Sequence, residues 1–171
     1  MQATTTDKIK PTRPKFQSRQ EIIINAPIEK VWDFNQDLSK IALYHPRVDK
    51  LDLISGKQFR GEGVAYQCHI TGGKHTCVEK DIEIVPMEKI VTVFPSDTMG
   101  LTKLLPDYMV ESKLSKIDAN TTWIEIAHYY SSSKWKVKLL NFYIKRKVAR
   151  ETRETLKGIK SAIENEYPNN K

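Results

Sequence analysis

His128 is the side chain of this sequence best suited to acid–base chemistry, because strand alternation puts it on one face with Ile124, Ile126 and Tyr130. A buried neutral imidazole orients a ligand or acts as a general base; equally, it serves as a hydrogen-bonded core residue, and alternation alone leaves both readings open. Tyr66 and Cys68 are expected to face inward with Phe94, Tyr108, Val110, Ile126, His128 and Tyr130. That set is apolar with a few polar tips, a surface suited to one elongated or ring-containing ligand, and also a surface that simply fills a core. Glu111 and Glu125 fall on the opposite alternation and are expected to face solvent, with Glu62 at a hairpin end. No inward carboxylate pair emerges, which lowers the case for hydrolytic or cyclase-type acid–base work.

The cysteines pose a sharper question. A two-residue turn at Gly72-Gly73 sets Cys68 opposite Cys77 and Ile70 opposite His75, so that Cys68, Cys77 and His75 share a face. Three such ligands resemble part of a zinc site, but a fourth is missing, and a reducing compartment keeps thiols unpaired. No metal and no cofactor are therefore expected. The alternation of Val78, Ile82 and Ile84 runs out of phase with Cys77 and calls instead for a bulge or a longer turn. Turn chemistry and periodicity conflict here.

The elements that position these groups are marked by period and punctuation. Residues 1–18, with Lys8, Lys10, Pro11, Arg13, Pro14 and Lys15, offer little to bury and are expected to form a flexible tail ahead of one domain over 19–167. Gln20 to Ile24 form a β-branched strand; Asn25 is placed to cap the helix that Pro27 opens, with Ile28, Val31, Trp32 and Phe34 on its apolar side. A second short helix is predicted over Asp37 to Tyr44, ending before Pro46. Six further strands follow, separated by Gly61/Gly63, Gly72-Gly73, Pro86 and Asp118-Ala119-Asn120, and their close spacing makes them antiparallel.

The connection over 95–106 carries Met99, Leu101, Leu104 and Leu105, more apolar surface than a free loop needs, and reads either as a plug of the core or as a cavity lid. From Ser131-Ser132-Ser133 a helix runs to about Glu166 with Val137, Leu140, Ile144, Val148, Thr155, Ile159, Ala162 and Ile163 in one stripe. At about 1.5 Å per residue it spans roughly 45–50 Å, enough to cross a whole sheet, and Gly158 is the point where a bend is expected.

The chain of 171 residues carries 28 basic and 21 acidic residues, a net charge of +7. Residues 134–160 hold ten Lys or Arg against Glu151 and Glu154, so nearly all the excess sits on the last helix. Trp135 beside Lys134, Lys136 and Lys138 is suited to transient contact with an anionic membrane surface, and equally to packing an indole on the sheet edge. No strand face of exposed aromatics accompanies the charge, so nucleic acid is not an expected partner. No run approaches the roughly 20 apolar residues of a membrane-spanning helix, and the N-terminus lacks a signal-peptide core, so a soluble cytoplasmic protein is expected.

The order of strand, two short helices, six strands and one long amphipathic helix resembles the helix-grip fold of the START-like superfamily (SRPBCC), which includes polyketide cyclase/dehydrase and lipid-transport proteins. Ala26-Pro27-Ile28-Glu29-Lys30-Val31-Trp32-Asp33-Phe34 is similar to that family's strand-to-helix segment, Asp37-Leu38 with Tyr44-His45-Pro46-Arg47-Val48 to its second helix, and Gly61-Glu62-Gly63 to its next hairpin. The likeness covers roughly residues 19 to 165. It implies an α+β fold with a seven-stranded curved antiparallel sheet around the C-terminal helix. It also implies a cavity between them, lined by the inward set named above with Leu140, Ile144 and Val148 and closed by a lid of Met99, Leu101 and Leu104. It supplies no catalytic residue, since the fold hosts several functions. The leading expectation is binding or transport of a hydrophobic small molecule of lipid, isoprenoid or polyketide-like character. A cyclase/dehydrase-like enzyme and a co-chaperone-type interaction module with a collapsed cavity are the alternatives.

Overall fold

The computed structural model describes residues 13–131 and 135–166. Its elements run β1 (Phe16–Ile24), α1 (Ile28–Gln36), a 3-10 turn (Leu38–Lys40), α2 (Ile41–Tyr44), β2 (Val48–Asp52), β3 (Ala65–Ile70), β4 (His75–Val85) and β5 (Lys89–Asp97), and then α3 (Leu101–Leu104), β6 (Met109–Asp118), β7 (Thr121–Tyr129) and α4 (Trp135–Glu166). The seven strands form one antiparallel sheet in the order β1-β7-β6-β5-β4-β3-β2. α4 lies against the inner face of this sheet, so the helix-grip architecture expected from element order is present. Among the described residues no helix is long and apolar enough to cross a membrane.

β1 begins at Phe16, pairing Phe16 with Tyr129 and Ser18 with His128, so the chain ahead of Arg19 already belongs to the sheet. The tail expected over 1–18 thus ends earlier than its composition indicates, and residues 1–12 lie outside the described part. α1 has Pro27 at its N-cap position and no side-chain cap, because Asn25, expected to cap it, stands two residues earlier; the Asn25 backbone N–H donates to the Glu164 carboxylate of α4. The turn after it is capped by Asp37, whose carboxylate accepts from the backbone and hydroxyl of Ser39.

The main core gathers Ile24, Val31, Phe34, Leu38, Val64, Tyr66, Cys68, Ile124, Leu156, Ile159 and Ile163 from α1, the inner strand faces and the second half of α4. A second cluster joins Leu105, Tyr108, Tyr130 and Val137, with Leu101 and Ile144 packed on it. That cluster ties the α3 segment to the first half of α4. α4 runs unbroken through Gly158, where a bend was expected. Here a Cβ would stand 2.1 Å from the carbonyl oxygen of Tyr44, so this glycine lets α2 and α4 touch backbone to side. The three residues 132–134 lie outside the described part, and so does the capping expected of Ser132 and Ser133.

Candidate functional site

Between sheet, α3 and α4 lies a cavity of about 250 Å³. Its apolar wall comes from Phe94, Val110, Ile126 and Val148, with Met99 and Leu101 of the 95–106 connection at one side. These residues converge because the inner faces of β5, β6 and β7 align them in register, Thr92 opposite Val110 and Val110 opposite His128. The connection is held by Asp97, whose carboxylate accepts N–H groups of Met99, Leu101 and Thr102 and the Thr102 hydroxyl. Burial alone raises the pKa of this carboxyl, but those four bonds outweigh it and bring the value to about 2.

Besides the Arg47–Glu151 ion pair, Ser112 and Thr155, two hydrogen-bonded clusters reach this cavity. The first is a chain through His128. Thr152 donates its hydroxyl to the Val148 carbonyl at 2.8 Å, which leaves Thr152 Oγ1 to accept from His128 Nε2 at 2.7 Å. His128 Nδ1 then accepts the Tyr108 hydroxyl at 2.7 Å. Both ring nitrogens are used and the imidazole is neutral, since burial lowers its pKa to about 4. The Tyr108 phenol is likewise held protonated by burial, and its ring lies 4.9 Å from that of Phe94.

The second group is centred on Arg60. Its Nη1 donates to Asp81 Oδ1 at 2.9 Å and to the Tyr66 hydroxyl at 2.6 Å, and its Nε donates to the Asn35 carbonyl at 3.0 Å. Thr92 donates to the same Asp81 oxygen, while the Tyr66 hydroxyl and the Cys68 thiol donate to Glu79. One guanidinium faces two carboxyls. Asp81 is bridged to it directly and Glu79 has only neutral donors, and at both carboxyls burial outweighs the Arg60 charge and pushes the pKa up. Asn35, Arg60 and Glu79 border the cavity with Tyr44 and His45, whose imidazole burial also lowers to about 4.

Of the residues expected to line a cavity, Phe94, Tyr108, Val110, Ile126, His128 and Val148 do so, together with Met99 and Leu101. Tyr66 and Cys68 are buried behind it in the Arg60 cluster. Tyr130 is buried in the second cluster, where its hydroxyl donates to Asn141. Ile144 packs on that cluster, and Leu140 is half exposed because the inward line of α4 steps through Val137, Asn141, Ile144 and Val148 and leaves Leu140 at its flank. Leu104 points outward, and Leu105 anchors the segment in its place.

Two expectations are corrected, and the strand pairing decides the register that turn chemistry and periodicity left open. The inward carboxylate pair held to be missing is Glu79 and Asp81. The Cys68–Cys77 pairing follows the Gly72-Gly73 register, and inward alternation carries on from Cys77 to Glu79 and Asp81, while register slips against β5 at Val78/Lys80 and Asp81/Glu83 absorb the conflicting apolar pattern. Continuing the turn's register along the strand was the signal that finds them; nothing in the sequence pattern pointed to Arg60. Finally, Glu111 and Glu125 do face away from the cavity but are buried, Glu111 at 1% exposure. Arg13, Lys113 and the Tyr129 hydroxyl surround Glu111, and Arg19 covers Glu125, so that the Glu111 pKa is lowered by these partners against its burial.

Cys68 and Cys77 are free and buried, and burial raises both thiols, Cys77 to about 12. Among the described residues no group of three His, Cys, Asp or Glu side chains is arranged to hold a metal ion.

Solved structures with this architecture include a START superfamily protein from Mycobacterium smegmatis, at 7% identity and a TM-score of 0.70, covering 88% of this chain and 98% of that one. The Zhui aromatase/cyclase from Streptomyces sp. R1128 aligns at 14% identity and 0.67, covering 89% and 95%. A point mutant of norcoclaurine synthase from Thalictrum flavum, solved with a transition-state analogue, aligns at 16% and 0.69, covering 87% and 94%. At such identities the likeness concerns the fold. No curated protein matches the sequence. The family described as polyketide cyclase / dehydrase and lipid transport matches residues 15–164, and with the helix-grip fold and its internal cavity in place, the chain belongs to that family.

Proposed function

We propose that this protein binds and carries a compact hydrophobic molecule, of lipid, isoprenoid or polyketide-like character, in the cavity between the sheet and α4. The observation that carries this reading is the combination of an apolar wall with a His128 chain whose polar atoms are already paired within the fold. His128 spends both nitrogens on Tyr108 and Thr152, which leaves the Tyr108 oxygen able to accept one hydrogen bond and orient a ligand. A volume of about 250 Å³ favours one ring system or a single chain over a bulky two-chain lipid. The same cavity weighs against an interaction module of collapsed interior. Two facing thiols left free support a reducing, cytoplasmic setting.

One observation favours a second reading, a cyclase/dehydrase-like enzyme: Glu79 borders the cavity with a raised pKa, the state a general acid needs. The structural relatives named as an aromatase/cyclase and a synthase add weight to it. Titration with an environment-sensitive apolar fluorophore tests the binding function. Val148→Phe, which fills the cavity from α4, is expected to weaken binding about tenfold or more, since the probe loses its apolar contact area. Unchanged affinity in a folded Val148→Phe protein places the probe elsewhere and overturns the reading. Glu79→Gln separates carrier from enzyme: a carrier keeps binding apolar probes, whereas a general acid's loss costs roughly 10²-fold or more in turnover.

A further inference from the structure

The first half of α4 is apolar on two opposite sides. Val137, Ile144 and Val148 form the line that meets the second cluster and the cavity. On the reverse side Trp135, Leu139, Phe142 and Tyr143 follow at positions i, i+4, i+7 and i+8, exposed by 67, 71, 62 and 68%. Four large apolar side chains in successive turns of one helix exceed the scattered exposure normal for a soluble surface, and such patches mark a binding face. The line continues along the same side as Arg146, Arg150, Arg153 and Lys157, so the apolar end passes into a basic one. Arg146 lies over the Phe142 ring at 5.4 Å.

We infer that this face docks the protein onto an anionic lipid bilayer. Indole, phenol and phenylalanine rings flanked by lysine and arginine are the composition of a helix lying in the headgroup plane, where aromatic bodies enter the interface and cations meet lipid phosphates. Residues 134–150 carry seven Lys or Arg and no Asp or Glu. A second copy of the same helix segment therefore brings like charge against like charge, which argues against self-association. A convex helix bearing leucine, with no groove to track a backbone, also fits a bilayer better than a nucleic acid strand. Leu101 and Leu105 pack with Val137 and Ile144 on the inner side of α4, so the half of the helix that bears this face also holds the segment whose half-exposed Met99 lines the cavity. The docking surface goes beyond the carrier reading and lies outside the cavity, so it stands or falls separately.

Co-sedimentation of the full chain with vesicles tests it, comparing phosphatidylcholine alone with phosphatidylcholine in which one lipid in three is phosphatidylserine. The protein is expected on the anionic vesicles, with release by salt. Leu139→Ser/Phe142→Ser and Arg146→Glu/Arg150→Glu each weaken partitioning by roughly tenfold. Both pairs are exposed, so circular dichroism and affinity for the apolar fluorophore stay as in the unchanged chain. Absence from anionic vesicles overturns the inference, and so does partitioning of both double variants as strong as that of the unchanged chain. A dimer in sedimentation velocity that the variants dissolve, or a single-stranded oligonucleotide held through these residues in place of vesicles, likewise overturns it.

Discussion

At the residue scale, the buried Arg60 is the group on which most depends. Among the described residues it is the cation paired with the fully buried Asp81, and it is the centre of hydrogen bonds to Tyr66 and the Asn35 carbonyl. Arg60→Met leaves the buried Asp81 carboxyl without its cation, and breaking a buried pair from one side costs about 3–5 kcal/mol. Urea denaturation is expected to show that loss; a change within about 0.5 kcal/mol, the ordinary scatter of surface substitutions, contradicts the cluster. Histidine burial gives a second prediction. His128 is neutral in the fold, with its pKa lowered to about 4, and an unfolded histidine titrates near 6.5. As pH falls from about 6.5 to 4 the unfolded chain takes up a proton that the native state refuses, so stability drops across that window by up to on the order of 3 kcal/mol. His45 adds in the same direction. His128→Asn is less stable at neutral pH, because Tyr108 and Thr152 lose their partner, but its stability falls less steeply between those pH values. An equally steep fall in the variant contradicts the assignment.

At the element scale, Gly158 sets how closely α2 and α4 approach. Alanine in a helix interior ordinarily gains about 1 kcal/mol over glycine. Here the added Cβ meets backbone at 2.1 Å, and overpacking of that kind costs about 1–3 kcal/mol or more. Gly158→Ala is therefore expected to lower the thermal midpoint by several degrees; a rise removes the contact from the account. The same glycine illustrates what local patterns lack. In the sequence it marks only a weak helix position, because the partner it meets, Tyr44, lies far away along the chain. Strand order and the α4 stripe were legible, since alternation and helical spacing are local. The inner face of β4 was half legible: the glycine turn gave the Cys68–Cys77 register, but Val78, Ile82 and Ile84 argued for the other phase, and only the slips against β5 reconcile them. Arg60 was not legible at all, as it stands in the irregular stretch between β2 and β3, where no period says which way a side chain turns.

At the scale of the whole molecule, the sheet and α4 divide the labour. β5, β6 and β7 with the inner side of α4 from Val148 onward build the cavity wall and Leu101 of α3 borders it, while the outer side of the first half of α4 presents apolar surface outside it. The Tyr108–His128–Thr152 chain is paired within the fold, so this side of the cavity is held in place by the protein itself, as in preorganised sites. The claim that this space exists to hold a hydrophobic molecule is tested most directly by native mass spectrometry of the protein purified from its source, followed by extraction and identification of what is bound. A single apolar molecule at one per chain, absent from Val148→Phe, is the result predicted. A clean mass of the bare chain that stays unchanged when lipids, isoprenoids and aromatic polyketides are offered contradicts it.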